Sequence, residues 1–359
     1  MKKICLIVPS LSSGGMERVM SEIANYFSQK MDVEVHIILL LNKKKHFTLN
    51  KTVKLHEPID KKRFIFFRIL IFLRKTIMKI KPDTIISFGS MYNSFVMLSC
   101  FGLENKIKIY LSDRSNPYRN TYFTMKKGGD ERHDGFLHFI LKRFFYRRAY
   151  GILCQTKLSM QLEHKSLKHR NIIYFPNPIS LKQNSDNSRE NIILNVGRFI
   201  GSKQQELLVD IFQRINNKKW KLLFLGDGET LESVKERVLD DFKENIIFGG
   251  NVENVASYMR KSKIFAFTSR SEGFPNALAE ALATPLASIS FDCIAGPSDL
   301  IVDNYNGFLV SNNNSNDYLS RLKILMENEE LRELFEKNSL SEMKKFEKEK
   351  ILEDLLKII

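Results

Sequence analysis

Two glutamates in one short segment have the residue type and spacing to do chemistry. Glu272 and Glu280 stand eight positions apart in the stretch 269–282, where an apolar run ends at a glycine-containing loop and a helical pattern begins near Asn276. The first turn of a helix has unpaired N–H groups and the positive end of the helix dipole, so it can bind phosphate. A glutamate beside such amides can accept hydrogen bonds from sugar hydroxyls. The alternative is that Glu272 caps the helix and Glu280 belongs to a solvated helix face.

Short apolar runs alternate with helical patterns along the chain, which predicts parallel sheets with helices on both faces. The strands predicted in the first half are Ile4–Val8, Val33–Leu41, Thr84–Ser87, Lys108–Leu111 and Ile152–Gln155. Those predicted in the second half are Ile192–Val196, Lys221–Leu225, Ile246–Phe248, Ile264–Thr268, Leu286–Ser290 and Gly307–Val310. Ligands of open α/β sheets bind at the carboxyl ends of the strands, so we expect the site in a cleft between two such units.

A polar stretch with two prolines, 176–192, reads as an interdomain linker. We therefore predict an N-terminal domain at 1–175 and a C-terminal domain at 193–335. The charged helical pattern at 336–359 is predicted to pack back on the N-terminal domain.

The positive charge of the protein is concentrated in its first half. The 359 residues include 56 Lys and Arg against 41 Asp and Glu, a net charge of +15. Residues 1–170 hold 32 basic and 13 acidic residues, whereas the remainder holds 24 and 28. This asymmetry predicts an anionic partner for the first half: nucleic acid, anionic lipid or a phosphorylated substrate.

The four cysteines are far apart and form no metal-ligand spacing, which favours buried thiols in a reducing compartment. No stretch of 18 uncharged apolar residues predicts a transmembrane helix. The expected location is therefore the cytosol, with the membrane surface as an option.

The segment Ser271-Glu272-Gly273-Phe274-Pro275-Asn276-Ala277-Leu278-Ala279-Glu280 resembles the Glu-x7-Glu hallmark of the family 4 (group 1) retaining glycosyltransferases. Further motifs of that family follow its order: Gly14-Gly15-Met16-Glu17-Arg18, Asn195-Val196-Gly197-Arg198 with Lys203, Gly226-Asp227-Gly228-Glu229, Phe248-Gly249-Gly250-Asn251-Val252, Ala295-Gly296-Pro297-Ser298-Asp299 and Asn306-Gly307-Phe308-Leu309-Val310. The resemblance spans about residues 3–315, and the ordered set is far more specific than any one motif. It implies the GT-B fold: α/β, with two Rossmann-like doubly wound domains facing a cleft and a C-terminal helical tail. The N-terminal domain would take the acceptor, and the C-terminal domain the nucleotide sugar.

The resemblance also implies roles for single residues. Arg198 and Lys203 would hold the donor diphosphate and stabilise the leaving UDP, and with Glu272 they form the expected catalytic set. Glu272 would contact the donor-sugar hydroxyls, and Glu280 the ribose. The remaining expected donor-binding residues are Gly14 and Gly15 of the first loop, Gly226, Asn251 and Val252 near the base, and the backbone of Gly273, Phe274, Pro275, Asn276, Ala277 and Leu278.

One position departs from the family pattern. Many relatives carry a histidine near the donor sugar, where this chain reads Ser112-Asp113-Arg114-Ser115-Asn116-Pro117 with Arg114 in the histidine place. We expect Arg114 to contact the donor sugar, its phosphate or the acceptor. The alternative is an ion pair with Asp113 or another carboxylate.

Metal ions are not expected at this site. The chain contains no Asp-x-Asp triplet of the kind that holds Mg²⁺ or Mn²⁺ under a diphosphate. This agrees with diphosphate binding by Arg and Lys alone, so we predict no cofactor and no required metal, with the UDP-sugar as a substrate.

Two basic segments interleave charges with apolar residues. Residues 61–81 contain eight basic residues and no acid, including Arg68, Arg74 and Lys75, and a second cluster at 136–150 contains Lys142, Arg143, Arg147 and Arg148. A basic amphipathic helix with aromatic residues can lie in a membrane interface, so we predict that these seven residues dock the protein on anionic lipid. The alternative is an ordinary core-facing helix with a solvated basic face.

The function predicted from these features is retaining transfer of a hexose or N-acetylhexosamine from a UDP-sugar. The expected acceptor is a polyprenyl-diphosphate-linked saccharide at the cytoplasmic face of the inner membrane, in surface polysaccharide biosynthesis. Two alternatives are a sugar-nucleotide epimerase of the same fold and a catalytically silent membrane-bound partner of another transferase. A nucleic-acid-binding role lacks any recognition motif, so no nucleic acid is expected as a partner.

Overall fold

The computed structural model describes residues 1–12, 14–58, 66–117, 136–181 and 189–359. The chain divides into two compact units. Unit 1 comprises Met1–Pro178 together with Glu349–Ile359, and unit 2 comprises Ile179–Lys348. The change of unit after Pro178 lies within the stretch 176–192, and the helical stretch from 336 onward is shared between the two units.

Unit 1 is built on a parallel sheet. Its strands in the described residues are β1 (Lys2–Val8), β2 (Val33–Leu39), β3 (Lys54–His56), β4 (Thr84–Phe88), β5 (Lys108–Ser112), β6 (Gly151–Cys154) and β7 (Ile172–Tyr174). They lie in the order β3-β2-β1-β4-β5-β6-β7, and every pair is parallel. The three-residue strands β3 and β7 had no counterpart in the prediction, and neither contains a fully buried residue.

Unit 2 is built on a second parallel sheet. In the part of it that the structure describes, the strands are β8 (Glu190–Val196), β9 (Lys221–Leu225), β10 (Ile246–Phe248), β11 (Ser262–Phe267), β12 (Ala287–Asp292) and β13 (Phe308–Ser311). Their order is β10-β9-β8-β11-β12-β13, again all parallel. Each strand predicted from an apolar run is present, with ends that differ by at most two residues.

Helices connect the strands, as parallel pairing requires. Within the described ranges they are α1 (Gly15–Phe27), α2 (Phe66–Ile80), α3 (Ser90–Ser99), α4 (Phe136–Tyr146), α5 (Lys157–Leu167), α6 (Gln205–Ile215), α7 (Leu231–Lys235), α8 (Val255–Lys261), α9 (Asn276–Ala283), α10 (Pro297–Leu300), α11 (Ser315–Glu327), α12 (Glu329–Met343) and α13 (Lys348–Ile358). None of these helices is long and apolar enough to cross a bilayer.

The sheet of unit 1 buries both of its faces. Along β1 the side chains alternate, so that Ile4 and Leu6 join one apolar cluster while Cys5 and Ile7 join the other. The first cluster also takes Leu352 and Leu355 from α13. All four cysteines of the chain are free and buried, as predicted, and burial raises the pKa of Cys100 and Cys154 to about 12.

The order in which successive strands are added reverses in the middle of each sheet. β1 pairs with β2 on one side and β4 on the other, and β8 pairs likewise with β9 and β11. The loops after these central strands diverge to opposite faces, which leaves a crevice at their carboxyl ends where ligands of such sheets bind. Gly14 and Gly15 follow β1, Arg198 and Lys203 follow β8, and Glu272 follows β11.

Candidate active site

An ion pair lies at the carboxyl end of the sheet in unit 2. The Nζ atom of Lys203 is 2.5 Å from Oε1 of Glu272, although 69 positions separate the two residues in sequence. Their side chains are largely buried, at 21% and 10% exposure respectively. Two residues that the sequence assigned to catalysis are therefore in direct contact.

Backbone hydrogen bonds hold these two residues in place. The Thr268 hydroxyl donates to the carbonyl oxygen of Lys203 at 2.9 Å, and the Arg270 N–H donates to that of Ser202 at 2.8 Å. The Glu272 N–H donates to the carbonyl oxygen of Ile294 at 3.0 Å. The loop after β11 is thus tied both to the Lys203 turn and to the end of β12.

Arg198 is positioned by a residue that the sequence interpretation missed. Gln205 is fully buried, and its Nε2 atom donates to the carbonyl oxygen of Arg198 at 3.0 Å. The Arg198 side chain is exposed and has no carboxylate within 4.0 Å in the described part of the chain. A polar residue at the start of an apolar helix face was the only available sequence signal for Gln205.

Glycines let the loops after β8, β9 and β10 approach one another closely. The Gly197 N–H donates to Leu225 at 3.0 Å, and the Gly226 N–H donates to Gly250 at 2.8 Å. Gly226 has a φ of +136°, and a Cβ there would collide with the carbonyl of Gly197. Asn251 is exposed and Val252 half-buried beside these loops, open to a ligand.

The first turn of α9 presents backbone rather than side chains. Phe274, Pro275 and Leu278 are buried, while Gly273, Asn276 and Ala277 are partly exposed. The N–H groups of Ala277 and Leu278 have no acceptor one turn earlier in the helix, so they are available to an anion. Glu280 lies one turn further along and is partly exposed.

The candidate residues of unit 1 lie at the carboxyl edge of its own sheet. Gly14 and Gly15 are exposed where α1 begins, and Arg114 follows β5. The Arg114 guanidinium lies between the rings of Phe88 and Phe175, at 4.1 and 4.8 Å from their centres. Its Nη1 atom donates to Asn177, whereas Nε and Nη2 are buried and have no hydrogen-bond partner in the described residues.

Arg114 therefore does not form the ion pair that the sequence left open as the alternative. It pairs with no carboxylate among the described residues, because Asp113 bonds to other groups. Burial lowers the pKa of Arg114 to about 9, so the side chain remains charged at neutral pH. Contact with a donor or acceptor stays a prediction.

The residue next to Arg114 in sequence, Asp113, belongs to a buried ionic network. The Lys142 ammonium is 2.7 Å from Asp113 and 2.5 Å from Glu163, and it is only 2% exposed. The Tyr146 hydroxyl donates to the second oxygen of Asp113 and accepts a hydrogen bond from Asn93 at 2.8 Å. Burial alone would lower the pKa of Lys142, but the two carboxylates outweigh it and raise that pKa.

This network corrects one predicted membrane contact. Lys142 faces the interior of unit 1, so it cannot touch a lipid surface, and its assignment to membrane docking is wrong. The helical period explains the position, since Lys142 shares a face of α4 with the buried residues Phe145 and Tyr146.

Lys142→Met is expected to lower the free energy of unfolding by about 3–5 kcal/mol, the usual cost of leaving a buried charge without its partner. The change keeps the apolar stem and leaves two buried carboxylates facing each other. Urea denaturation measures the loss. Adding Glu163→Gln removes one stranded charge, so the double variant should recover part of the stability, and a single-variant loss below about 1 kcal/mol would refute this account.

The other predicted docking residues are at least partly exposed, and some of them also bond to the backbone. Arg68 and Lys75 are exposed on α2, and Arg74 donates to the carbonyl oxygens of Ser99 and Phe101 at 3.0 and 2.7 Å. The remaining residues of the set, Arg143, Arg147 and Arg148, are exposed. The α2 face also exposes three large apolar side chains: Phe67, Ile71 and Met78.

No group of three or more His, Cys, Asp or Glu side chains in the described residues is arranged to hold a metal ion. The charges at the carboxyl edge of unit 2 come instead from Arg198, Lys203 and Glu272. Two cations, helix amides and one carboxylate can together bind an anionic ester of a sugar.

Comparison with known proteins places this arrangement in a family. Residues 177–341 match the model of the glycosyl transferases group 1 family. A relative from Campylobacter jejuni is 30% identical, with 100% of both chains covered: the N-acetylgalactosamine-N,N'-diacetylbacillosaminyl-diphospho-undecaprenol 4-alpha-N-acetylgalactosaminyltransferase. The amylovoran biosynthesis glycosyltransferase AmsD of Erwinia amylovora is 26% identical over 93% of each chain.

Solved structures show the same fold at low sequence identity. HepE of Anabaena, in complex with UDP and glucose, superposes with a TM-score of 0.78 at 13% identity, covering 100% of this chain and 99% of that one. The predicted GT-B class, with two Rossmann-like parallel-sheet units, is confirmed.

Proposed function

This chain belongs to the group 1 glycosyltransferases, and from that premise we propose that it moves a hexose or N-acetylhexosamine from a UDP-sugar to a polyprenyl-diphosphate-linked saccharide, with retention at the anomeric carbon. That it is a glycosyltransferase using a nucleotide sugar follows from the family. The proposed transfer reaction is supported above all by one observation, the Lys203–Glu272 pair between the end of β8 and the first turn of α9.

The charges of this pair suit opposite ends of the scissile bond. Lys203 has further N–H donors for a diphosphate oxygen, and the exposed Arg198 guanidinium adds a planar pair of donors to the same group. Negative charge grows on the diphosphate as its bond to the sugar breaks, so fixed cations there stabilise the transition state more than the ground state. Glu272 accepts hydrogen bonds from sugar hydroxyls and orients the ring.

Retention follows if the acceptor enters on the face from which UDP leaves. In this proposal the bond between the anomeric carbon and the phosphate oxygen breaks, and a bond from that carbon to the acceptor oxygen forms. The proton of the acceptor hydroxyl passes to the leaving phosphate oxygen. Glu272 remains a hydrogen-bond acceptor throughout and forms no bond to the sugar. No metal is required, because Arg198 and Lys203 supply the positive charge.

The lipid-linked acceptor is supported by a named relative and by the surface of unit 1. The Campylobacter jejuni relative carries a diphospho-undecaprenol acceptor in its name. Exposed Phe67, Ile71 and Met78 on α2 stand beside Arg68 and Lys75, a combination that suits an anionic membrane interface. We therefore place the enzyme peripherally on the cytoplasmic face of the inner membrane, in surface polysaccharide biosynthesis.

A thermal-shift panel of UDP, GDP, ADP and their sugars, each with and without EDTA, tests the donor and the metal independence. A ligand present at 100 times its Kd adds about 2.7 kcal/mol to the stability of the native state. We expect UDP and one UDP-sugar to raise the Tm equally with and without EDTA, and that UDP-sugar to be consumed when a prenyl-diphosphate-linked saccharide is added. Stabilisation by GDP or ADP instead, or its loss with EDTA, would contradict the proposal.

A further inference from the structure

A second concave site lies in unit 1, at the edge of the sheet opposite Arg114. The three loops that lead into β5, β6 and β7 enclose a pocket of about 510 Å³ at the amino ends of those strands. Its lining includes five basic side chains, namely Arg147, Arg148, Lys168, His169 and Arg170. None of the residues assigned to sugar transfer belongs to it.

The charge of the pocket is uncompensated. Among the described residues, Glu104 is the one carboxylate in the lining, which also contains four permanent cations. Arg147, Arg148, Lys168 and Arg170 form no ion pair within 4.0 Å in the described ranges, and all four are exposed. Side chains of like charge so close together repel one another, and an anion bound among them would relieve that repulsion.

The pocket is held together by a histidine that does not face a ligand. The Nε2 atom of His169 lies 2.9 Å from the carbonyl oxygen of Ala149, and its Nδ1 accepts from the Asn171 N–H at 3.1 Å. Both ring nitrogens are therefore within hydrogen-bond distance of backbone groups. His169 joins two of the three loops and fixes the spacing of the cations around it.

Aromatic side chains at the mouth indicate what kind of anion binds. The Arg148 guanidinium lies 3.9 Å over the ring of Phe144, and the Lys108 Nζ lies 5.3 Å over the ring of Tyr150. Phe144 and Tyr150 are 50% and 47% exposed, and Tyr150 itself lines the pocket. Exposed rings beside cations are typical of protein surfaces that enter the headgroup region of a bilayer. A soluble phosphate ester would give no reason for the exposed rings.

We propose that this pocket binds the phosphate headgroup of an anionic phospholipid. The inference rests on the membrane docking in the proposed function and makes it specific, because it names a headgroup site and adds two cations that sequence reasoning did not select, Lys168 and Arg170. The helices α2, α3 and α4 cross between parallel strands, so their C-terminal ends lie at the same edge of the sheet as the pocket.

Cosedimentation of the full chain with vesicles tests the pocket. The vesicles are phosphatidylcholine with about one third phosphatidylglycerol, and the pocket variant is Arg148→Gln with Arg170→Gln. At about 1 kcal/mol per charge near an anionic surface, we expect this variant to bind roughly 30-fold more weakly.

The matched control, Lys43→Gln with Lys44→Gln, removes the same charge from exposed residues after β2 at the opposite edge, and should bind within about threefold of the parent. The conservative pair Arg148→Lys with Arg170→Lys should retain binding.

Three results would overturn the proposal. One is equal weakening by the pocket and control variants, which would mean general charge attraction only. The second is binding of soluble glycerol phosphate by the parent but not by the pocket variant, without any competition between glycerol phosphate and vesicles. The third is a loss of oligonucleotide binding in the pocket variant with vesicle binding unchanged. Transfer to a detergent-solubilised acceptor should be the same in parent and pocket variant, because that assay does not require a membrane. If the parent binds vesicles through the pocket but transfers no sugar, the proposed function alone is refuted.

Discussion

Glu272→Gln is expected to lower kcat by about 10²–10³-fold while the fold and its stability are retained. Glutamine preserves the shape of the side chain and one hydrogen-bond acceptor for Lys203, which lies 2.5 Å away. It loses the negative charge that strengthens hydrogen bonds from the sugar hydroxyls. Initial rates with a saturating UDP-sugar measure the effect, and urea denaturation verifies the fold.

Two further glutamates make this test specific. Glu280→Gln should raise the KM for the donor with little change in kcat, because a ribose contact is equally strong in the ground and transition states. Glu244→Gln, at an exposed position at the other end of β10, should change neither constant. Normal turnover by Glu272→Gln would remove this residue from the mechanism.

Lys203→Met is expected to be the second severe loss, and it should affect binding as well as turnover. A hydrogen bond to a charged group contributes about 1.5–3 kcal/mol, so UDP should bind roughly 10- to 100-fold more weakly. The kcat should fall by about 10²–10³-fold, because charge on the leaving diphosphate loses a fixed cation. Calorimetry with UDP and steady-state rates separate the two effects, and Lys219→Met at an exposed position of the same unit is the control.

The ion pair leaves two explanations for such a loss, and a double variant distinguishes them. Lys203 could act on the diphosphate directly or only by neutralising the charge of Glu272. If it acts on the diphosphate, Lys203→Met with Glu272→Gln binds UDP as weakly as the single lysine variant. Recovery of UDP affinity in the double variant would instead show that Lys203 merely neutralises Glu272.

The strands and the order of the motifs could be predicted because buried parallel strands leave strong signals. Runs such as Leu222–Leu225 are apolar throughout, and each ends at glycine or a polar loop. The sequence therefore located Gly226 and Glu272 after strand ends without any structural information. The contact between Lys203 and Glu272 could not be predicted from local patterns, since it depends on the pairing of β8 with β11.

Buried polar groups were the main failure of sequence reasoning. Lys142 sits in a segment rich in basic residues, and composition assigned it to the surface. Its partners Asp113 and Glu163 come from other parts of unit 1, so no local sequence pattern indicates the ion pair. Helical spacing was the one signal available, because it places Lys142 on the same face as the buried Tyr146. Gln205 was missed for the same reason.

The division of unit 1 between distant parts of the chain has a consequence for biosynthesis. Leu352, Leu355 and Ile359 belong to the same apolar cluster as β1, although the whole of unit 2 is translated between them. Unit 2 is a continuous segment and can complete its core as soon as it leaves the ribosome. Unit 1 must wait with part of its apolar surface uncovered until residues 349–359 emerge. A ribosome stalled on a linker fused after residue 348, long enough for all of unit 2 to leave the exit tunnel, should therefore carry a protease-resistant unit 2 and a protease-sensitive unit 1. The nascent enzyme needs protection from aggregation during that interval.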